Sequence, residues 1–141
     1  TTALDVTIQS QILKLMKRLV REHRTAMILI THDLAVVSEM TDKIIVMYCG
    51  RIVEKGTRDD IISRCRHPYT LGLLGSIPKL TSRQKRLLQI SGMVPNIMNL
   101  PPGCSFAPRC DYVRDRCRDM PPELVDLEPG HKAACYYPVE R

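Results

Sequence analysis

Along the first part of the chain apolar residues recur at helical spacing. Ile8, Ile12, Leu15, Met16 and Leu19 share one face, and Lys14, Lys17, Arg18, Arg21 and Glu22 share the other; this predicts an amphipathic helix with a solvated charged side. Asp5, just ahead of it, is suited to capping its first free amides. After His23-Arg24-Thr25 the pattern becomes a short apolar run over residues 27–30. Its length and composition predict a strand buried on both faces of a parallel sheet. His32 follows directly, and ligands of open α/β sheets sit at the carboxyl ends of the strands, so His32 is a candidate functional residue. A short helix is predicted over residues 34–40. Two β-rich runs, 43–48 and 51–55, are separated by Cys49-Gly50 and read as a hairpin. Thr57 and Asp60 have capping-box spacing for a helix over 58–63. Further on, Pro68 restricts His67 to extended geometry and can open a helix that buries Leu71 and Leu74. Tyr69 is expected to pack, and His67 is expected to be an exposed histidine with a structural part.

Composition divides the chain. All ten prolines lie at or after Pro68, and four of the six cysteines fall between Cys104 and Cys135. Residues 1–67 can hold regular elements, whereas 68–141 are punctuated too often for long ones. No run of about 18 apolar residues occurs, so no membrane-spanning helix is predicted. The net charge of +6 is scattered and accompanied by one Phe and five Tyr, a poor basis for a nucleic-acid surface, and no nucleic-acid partner is expected.

Several motifs together resemble the ATP-binding-cassette ATPases. Thr2-Ala3-Leu4-Asp5 is similar to the D-loop, Ile30-Thr31-His32-Asp33 to the switch-histidine motif, and residues 48–56 to the hairpin that follows. Downstream, His67-Pro68-Tyr69-Thr70-Leu71, the segment 73–78, Gly92-Met93-Val94-Pro95 and residues 101–110 resemble the C-terminal extension of oligopeptide and dipeptide importer ATPase subunits; nickel and some sugar importers carry similar extensions. The resemblance implies an α/β fold: the C-terminal part of a P-loop ABC ATPase core over 1–67, then the importer extension over 68–141 with a small irregular Cys/Pro-rich lobe at about 101–141. It implies ATP and Mg2+ as ligands of the complete protein. The implied partners are a second ATPase subunit, two transmembrane permease subunits and, indirectly, a peptide-binding protein. The implied location is peripheral, at the cytoplasmic face of the inner membrane. His32 would be catalytic, reaching the γ-phosphate and attacking water, and Asp5 would cross the dimer interface toward the opposing nucleotide site, a role that competes with helix capping.

The sequence holds no GxxxxGK[ST] phosphate loop, nor the signature segment or the strand bearing the catalytic glutamate. The chain is therefore expected to be the C-terminal portion of such an ATPase, unable to bind or hydrolyse ATP alone, exposing apolar surface and unpaired strand edge when isolated.

Cys104, Cys110, Cys117 and Cys135 are separated by five, six and seventeen residues. Zinc ribbons pair their ligands more closely, so this spacing is unfavourable to zinc without removing it. Four thiolates suit a [4Fe-4S] cluster, which the resemblance to the importer subfamily favours. Disulfides or empty thiols are the remaining readings, the former disfavoured in a reducing compartment. Arg109, Arg114, Arg116 and Arg118 lie near these cysteines in sequence and could balance thiolate charge. An alternative of another class is a stand-alone metal-binding or redox module in which the α/β half is scaffold.

Overall fold

The computed structural model describes residues 6–77 and 89–140. The chain forms two compact units that divide between Thr41 and Asp42.

The first unit is helical. Helix α1, Val6–His23, has the expected amphipathic pattern. It ends where Arg24 turns left-handed at φ 48° and the Thr25 N–H bonds back to the Val20 carbonyl at 3.2 Å, which satisfies a carbonyl the last turn leaves open. Its apolar stripe is uncovered: Ile8, Ile12, Leu15 and Leu19 are each 40–46% exposed. The strand expected over 27–30 is not formed. That stretch is irregular, with Ile28 and Ile30 91% and 94% exposed. A strand persists only as a member of a sheet, and among the described residues no neighbour pairs with this one. Helix α2, Leu34–Met40, is present as expected. Its N-cap is Asp33, whose carboxylate accepts the amides of Ala35 and Val36 at 2.9 and 3.2 Å.

The second unit is built on strands β1, Lys43–Tyr48, and β2, Arg51–Thr57. Along β1 burial alternates, Ile44, Val46 and Tyr48 inward and Ile45 and Met47 outward, the pattern of an antiparallel strand with one wet face. Cys49 and Gly50 both have positive φ, 47° and 75°, as a twisted two-residue hairpin turn requires. Strands β3, Val125–Glu128, and β4, His131–Ala133, complete a four-stranded sheet of order β1-β2-β4-β3. Every pairing in it is antiparallel, so the parallel sheet expected from the apolar run is absent among the described residues.

Thr57 and Asp60 form the expected capping box on helix α3, Arg58–Arg64. Helix α4, Pro68–Gly75, starts on its proline and buries Leu74 and Thr70; Leu71, also expected inside, is only half-buried. Helix α5, Arg116–Asp119, is a single turn carrying the buried Cys117. Phe106, the one phenylalanine, joins these pieces. Its ring lies 5.3 Å from those of both Tyr48 and Tyr69 and 5.9 Å from that of His67, an aromatic cluster that brings β1, α4 and the cysteine-rich segment onto one core.

Candidate functional site

The residues singled out by sequence fall into two separate places. Asp5 lies outside the described residues. His32 is exposed, in the turn that leads into α2. The Asp33 N–H donates to the Thr31 hydroxyl at 3.1 Å, while the Asp33 carboxylate caps the helix. Thr31 and Asp33 thus shape the loop and His32 is left unencumbered. Because residues 27–30 form no strand, His32 does not stand at a strand's carboxyl end among the described residues. The sequence holds no GxxxxGK[ST] phosphate loop.

The four cysteines are brought together. Cys104, Cys110, Cys117 and Cys135 all line one cleft, whose free space is about 340 Å³ with solvent at its mouth included. Local backbone geometry explains how segments so far apart meet. Gly103 lets two strands of chain touch, since a Cβ there would lie 2.2 Å from the Cys117 carbonyl oxygen. The adjacent Cys104 N–H donates to that same oxygen at 2.8 Å. The Ala107 N–H donates to the Cys104 carbonyl at 2.9 Å, starting the tight turn Ala107–Arg109 that delivers Cys110. Cys135 arrives from the end of β4, where the Ala134 N–H donates to the Val53 carbonyl at 2.8 Å.

Burial pushes the Cys104 and Cys110 thiols up from their ordinary value, and pushes Cys135 to about 11, with the neighbouring thiols adding to the effect there. All six cysteines are free thiols, so the disulfide reading has no pair in this structure. A cation that replaces the protons of such thiols gains four soft donors at once. Among the described residues no three His, Cys, Asp or Glu side chains converge so as to hold a single metal ion.

Three of the four arginines have partners of their own. Arg109 donates to the carbonyls of Ser91 and Ile90 at 3.0 and 3.1 Å, and Arg114 and Arg116 lie over the rings of Tyr137 and Tyr136 at 4.2 and 4.3 Å. The two stacked arginines rest on tyrosines that line the cleft.

Two residues that sequence reasoning passed over organise the site's base. Glu54, on β2 and fully buried, accepts the backbone amides of Arg66 and His67 at 2.6 and 3.1 Å, and lies 2.8 Å from Nε2 of the buried His131 on β4. His67, expected to be exposed, is 1% exposed. Its Nδ1 caps α4 by accepting the Tyr69 N–H at 3.1 Å, and its ring lines the cysteine cleft. Burial lowers the His67 imidazole to about 4, so the ring is neutral near pH 7.

Residues 53–117 match the family described as the oligopeptide/dipeptide transporter, C-terminal region. The chain is 52% identical over 96% of its length to the oligopeptide transport ATP-binding protein AppD of Bacillus subtilis. It is 48% identical over 99% to OppD of Salmonella typhimurium, and 46% identical over 99% to the dipeptide transport ATP-binding protein DppD of Escherichia coli. The chain spans about two fifths of the length of these relatives, 42%, 42% and 43% respectively.

Proposed function

We propose that the chain is the C-terminal part of an ATP-hydrolysing subunit that energises import of oligopeptides or dipeptides. The observation that carries this reading is similarity at 46–52% identity along nearly the whole chain to ATP-binding proteins of such transporters. In the complete subunit, phosphate-binding elements outside this sequence hold ATP and Mg2+. The subunit works peripherally at the cytoplasmic face of the membrane, beside a second ATPase and two permease subunits, and receives peptide through a binding protein. No helix among the described residues is long and apolar enough to cross a membrane. The open stripe Ile8, Ile12, Leu15 and Leu19 is the face that the rest of the ATPase core covers, and the same core supplies the sheet neighbours that order residues 27–30.

His32 positions attacking water and donates to charge building on the γ-phosphate, which its exposed place on a shaped loop leaves it free to do. Asp5 couples the two nucleotide sites of the dimer. The test is His32→Ala in the complete subunit: ATP turnover is abolished while nucleotide binding is retained. Undiminished turnover would sink the assignment.

We infer further that Cys104, Cys110, Cys117 and Cys135 hold a [4Fe-4S] cluster, with zinc the competing occupant. The support for this reading is that all four thiols line one cleft. When bound, the group cross-links four segments of an irregular region and provides a one-electron centre. Iron, sulfide and zinc measured on protein prepared without oxygen decide the matter; stoichiometric zinc without iron would overturn it.

A further inference from the structure

Four large apolar side chains of the second unit stand in water on a single short loop. Met93, Val94, Ile97 and Met98 are 90%, 60%, 66% and 92% exposed. They belong to the longest uncharged stretch of the chain: from Leu87 to Pro108 no charged residue occurs, although 26% of all residues are charged. The loop is anchored at both ends. At its start Arg109 donates from Nε to the Ser91 carbonyl at 3.0 Å and from Nη2 to the Ile90 carbonyl at 3.1 Å. The Ile90 side chain lies against α4, where a Cβ on Gly72 would come within 2.7 Å of it. At its far end the Asn96 side chain accepts the Met98 N–H at 2.9 Å, and the Asn99 N–H donates to the Asn96 carbonyl at 2.9 Å, closing the 3-10 turn Ile97–Asn99. A loop fixed in this way has less freedom to lose when a partner arrives.

We propose that residues 92–99 are a docking surface for the same residues of a second copy of the subunit. The proposal rests on the reading above in which two ATPase subunits work side by side. Charge selects this occupant. Membrane surfaces and nucleic acid are bound through basic side chains beside the apolar ones, and none lies between Gly92 and Leu100. Two chains of net charge +6 repel where their charged faces meet, so the uncharged stretch is where they approach with least repulsion. Area agrees. Four such side chains present on the order of 500 Å² of apolar surface, the class of patch that marks a protein contact. Supplied by both copies across a two-fold axis, it reaches about 1,000 Å², the lower bound for a specific interface. A contact of that size is weak alone and effective between subunits that the transporter already holds together.

The complete subunit, free of nucleotide and Mg2+, is measured by sedimentation equilibrium. Ile97→Asp sets a charge against its own copy across the axis, and the dimer dissociation constant should rise by about tenfold or more with circular dichroism unchanged. Met98→Leu, which keeps the apolar surface, should leave the constant near native. A photo-crosslinking amino acid at position 98 gives an answer independent of Ile97→Asp: bonds to residues 92–99 of the other copy are expected. A dissociation constant unchanged in Ile97→Asp overturns the proposal. So does a subunit that stays monomeric, or cross-links that reach only lipid, the permease subunits or the subunit's own ATPase core. ATP turnover of the same preparations reports separately on the ATPase reading: a subunit that pairs through this loop and shows no turnover overturns that reading and supports the contact.

Discussion

Glu54 and His131 are 77 residues apart in sequence and 2.8 Å apart in space, with side chains 0% and 1% exposed. One carboxylate there answers three donors or partners at once: the amides of Arg66 and His67 and the His131 ring. It therefore fastens the start of α4 and the strand that leads to Cys135 onto the hairpin. Removing one member of such a buried pair strands the others.

Glu54→Ala should destabilise the second unit by about 3–5 kcal/mol, whereas Glu54→Gln, which keeps an acceptor, should cost about 1–3 kcal/mol. Urea unfolding of both variants measures this. Two equal and small effects would mean that the amides of Arg66 and His67 find other acceptors and that the carboxylate is not the fastening.

Gly103→Ala should disassemble the cysteine site without unfolding the sheet. The new Cβ would fall 2.2 Å from the Cys117 carbonyl oxygen and 2.6 Å from the Arg118 carbonyl carbon, and backbone atoms yield far less readily than the tip of a flexible side chain. On the cluster reading proposed above, the iron content of the variant should drop sharply while its far-ultraviolet circular dichroism stays near native. Full metal occupancy would show that the close approach of Cys104 and Cys117 is dispensable.

Cys49 sits in the left-handed region at φ 47°, which suits Asn better than Cys. Cys49→Asn should stabilise the hairpin by about 0.5–1 kcal/mol, seen as a rise in melting temperature. A fall with the hairpin intact would count against the turn geometry.

Acid sensitivity should follow Asp60. The Thr57 hydroxyl, with smaller help from the Thr57 N–H and from His131 and Arg64, holds the buried Asp60 carboxyl below its ordinary range. A depressed carboxylate contributes stability that is complete above its unfolded value near 4 and is lost as pH falls through the lower folded value. Asp60→Asn should flatten the acid limb of a stability profile measured between about pH 2 and 6. An identical limb in the variant would assign the acid loss to other groups.

What could be read from sequence was what neighbours in sequence decide. Cys49-Gly50 announces its turn, Thr57 and Asp60 their capping box, Pro68 the start of α4, and Ile8 to Leu19 the stripe of α1, because each signal lies within one or two turns of chain. Residues 27–30 form no strand among the described residues for the converse reason: strand character is conferred by hydrogen-bonding neighbours, and no described strand pairs with them. The cysteines were legible as a group by their chemistry, yet their meeting around one cleft depends on Gly103, whose importance is visible only as a distance to Cys117. Glu54 looked like an ordinary hairpin position and His131 carried no local signal at all. His67 reads as a surface residue in the sequence because nothing adjacent to it foretells that Phe106 and Glu54 will meet it.

Strand β2 has β1 on one side and β4 on the other, and the Val139 N–H closes back on the Arg66 carbonyl at 2.9 Å. A protease cut or premature stop ahead of Leu124 would thus do more than delete a tail. It would strip the hairpin of its outer neighbour, leave a row of amides seeking another chain, and turn a well-behaved molecule into a sticky one.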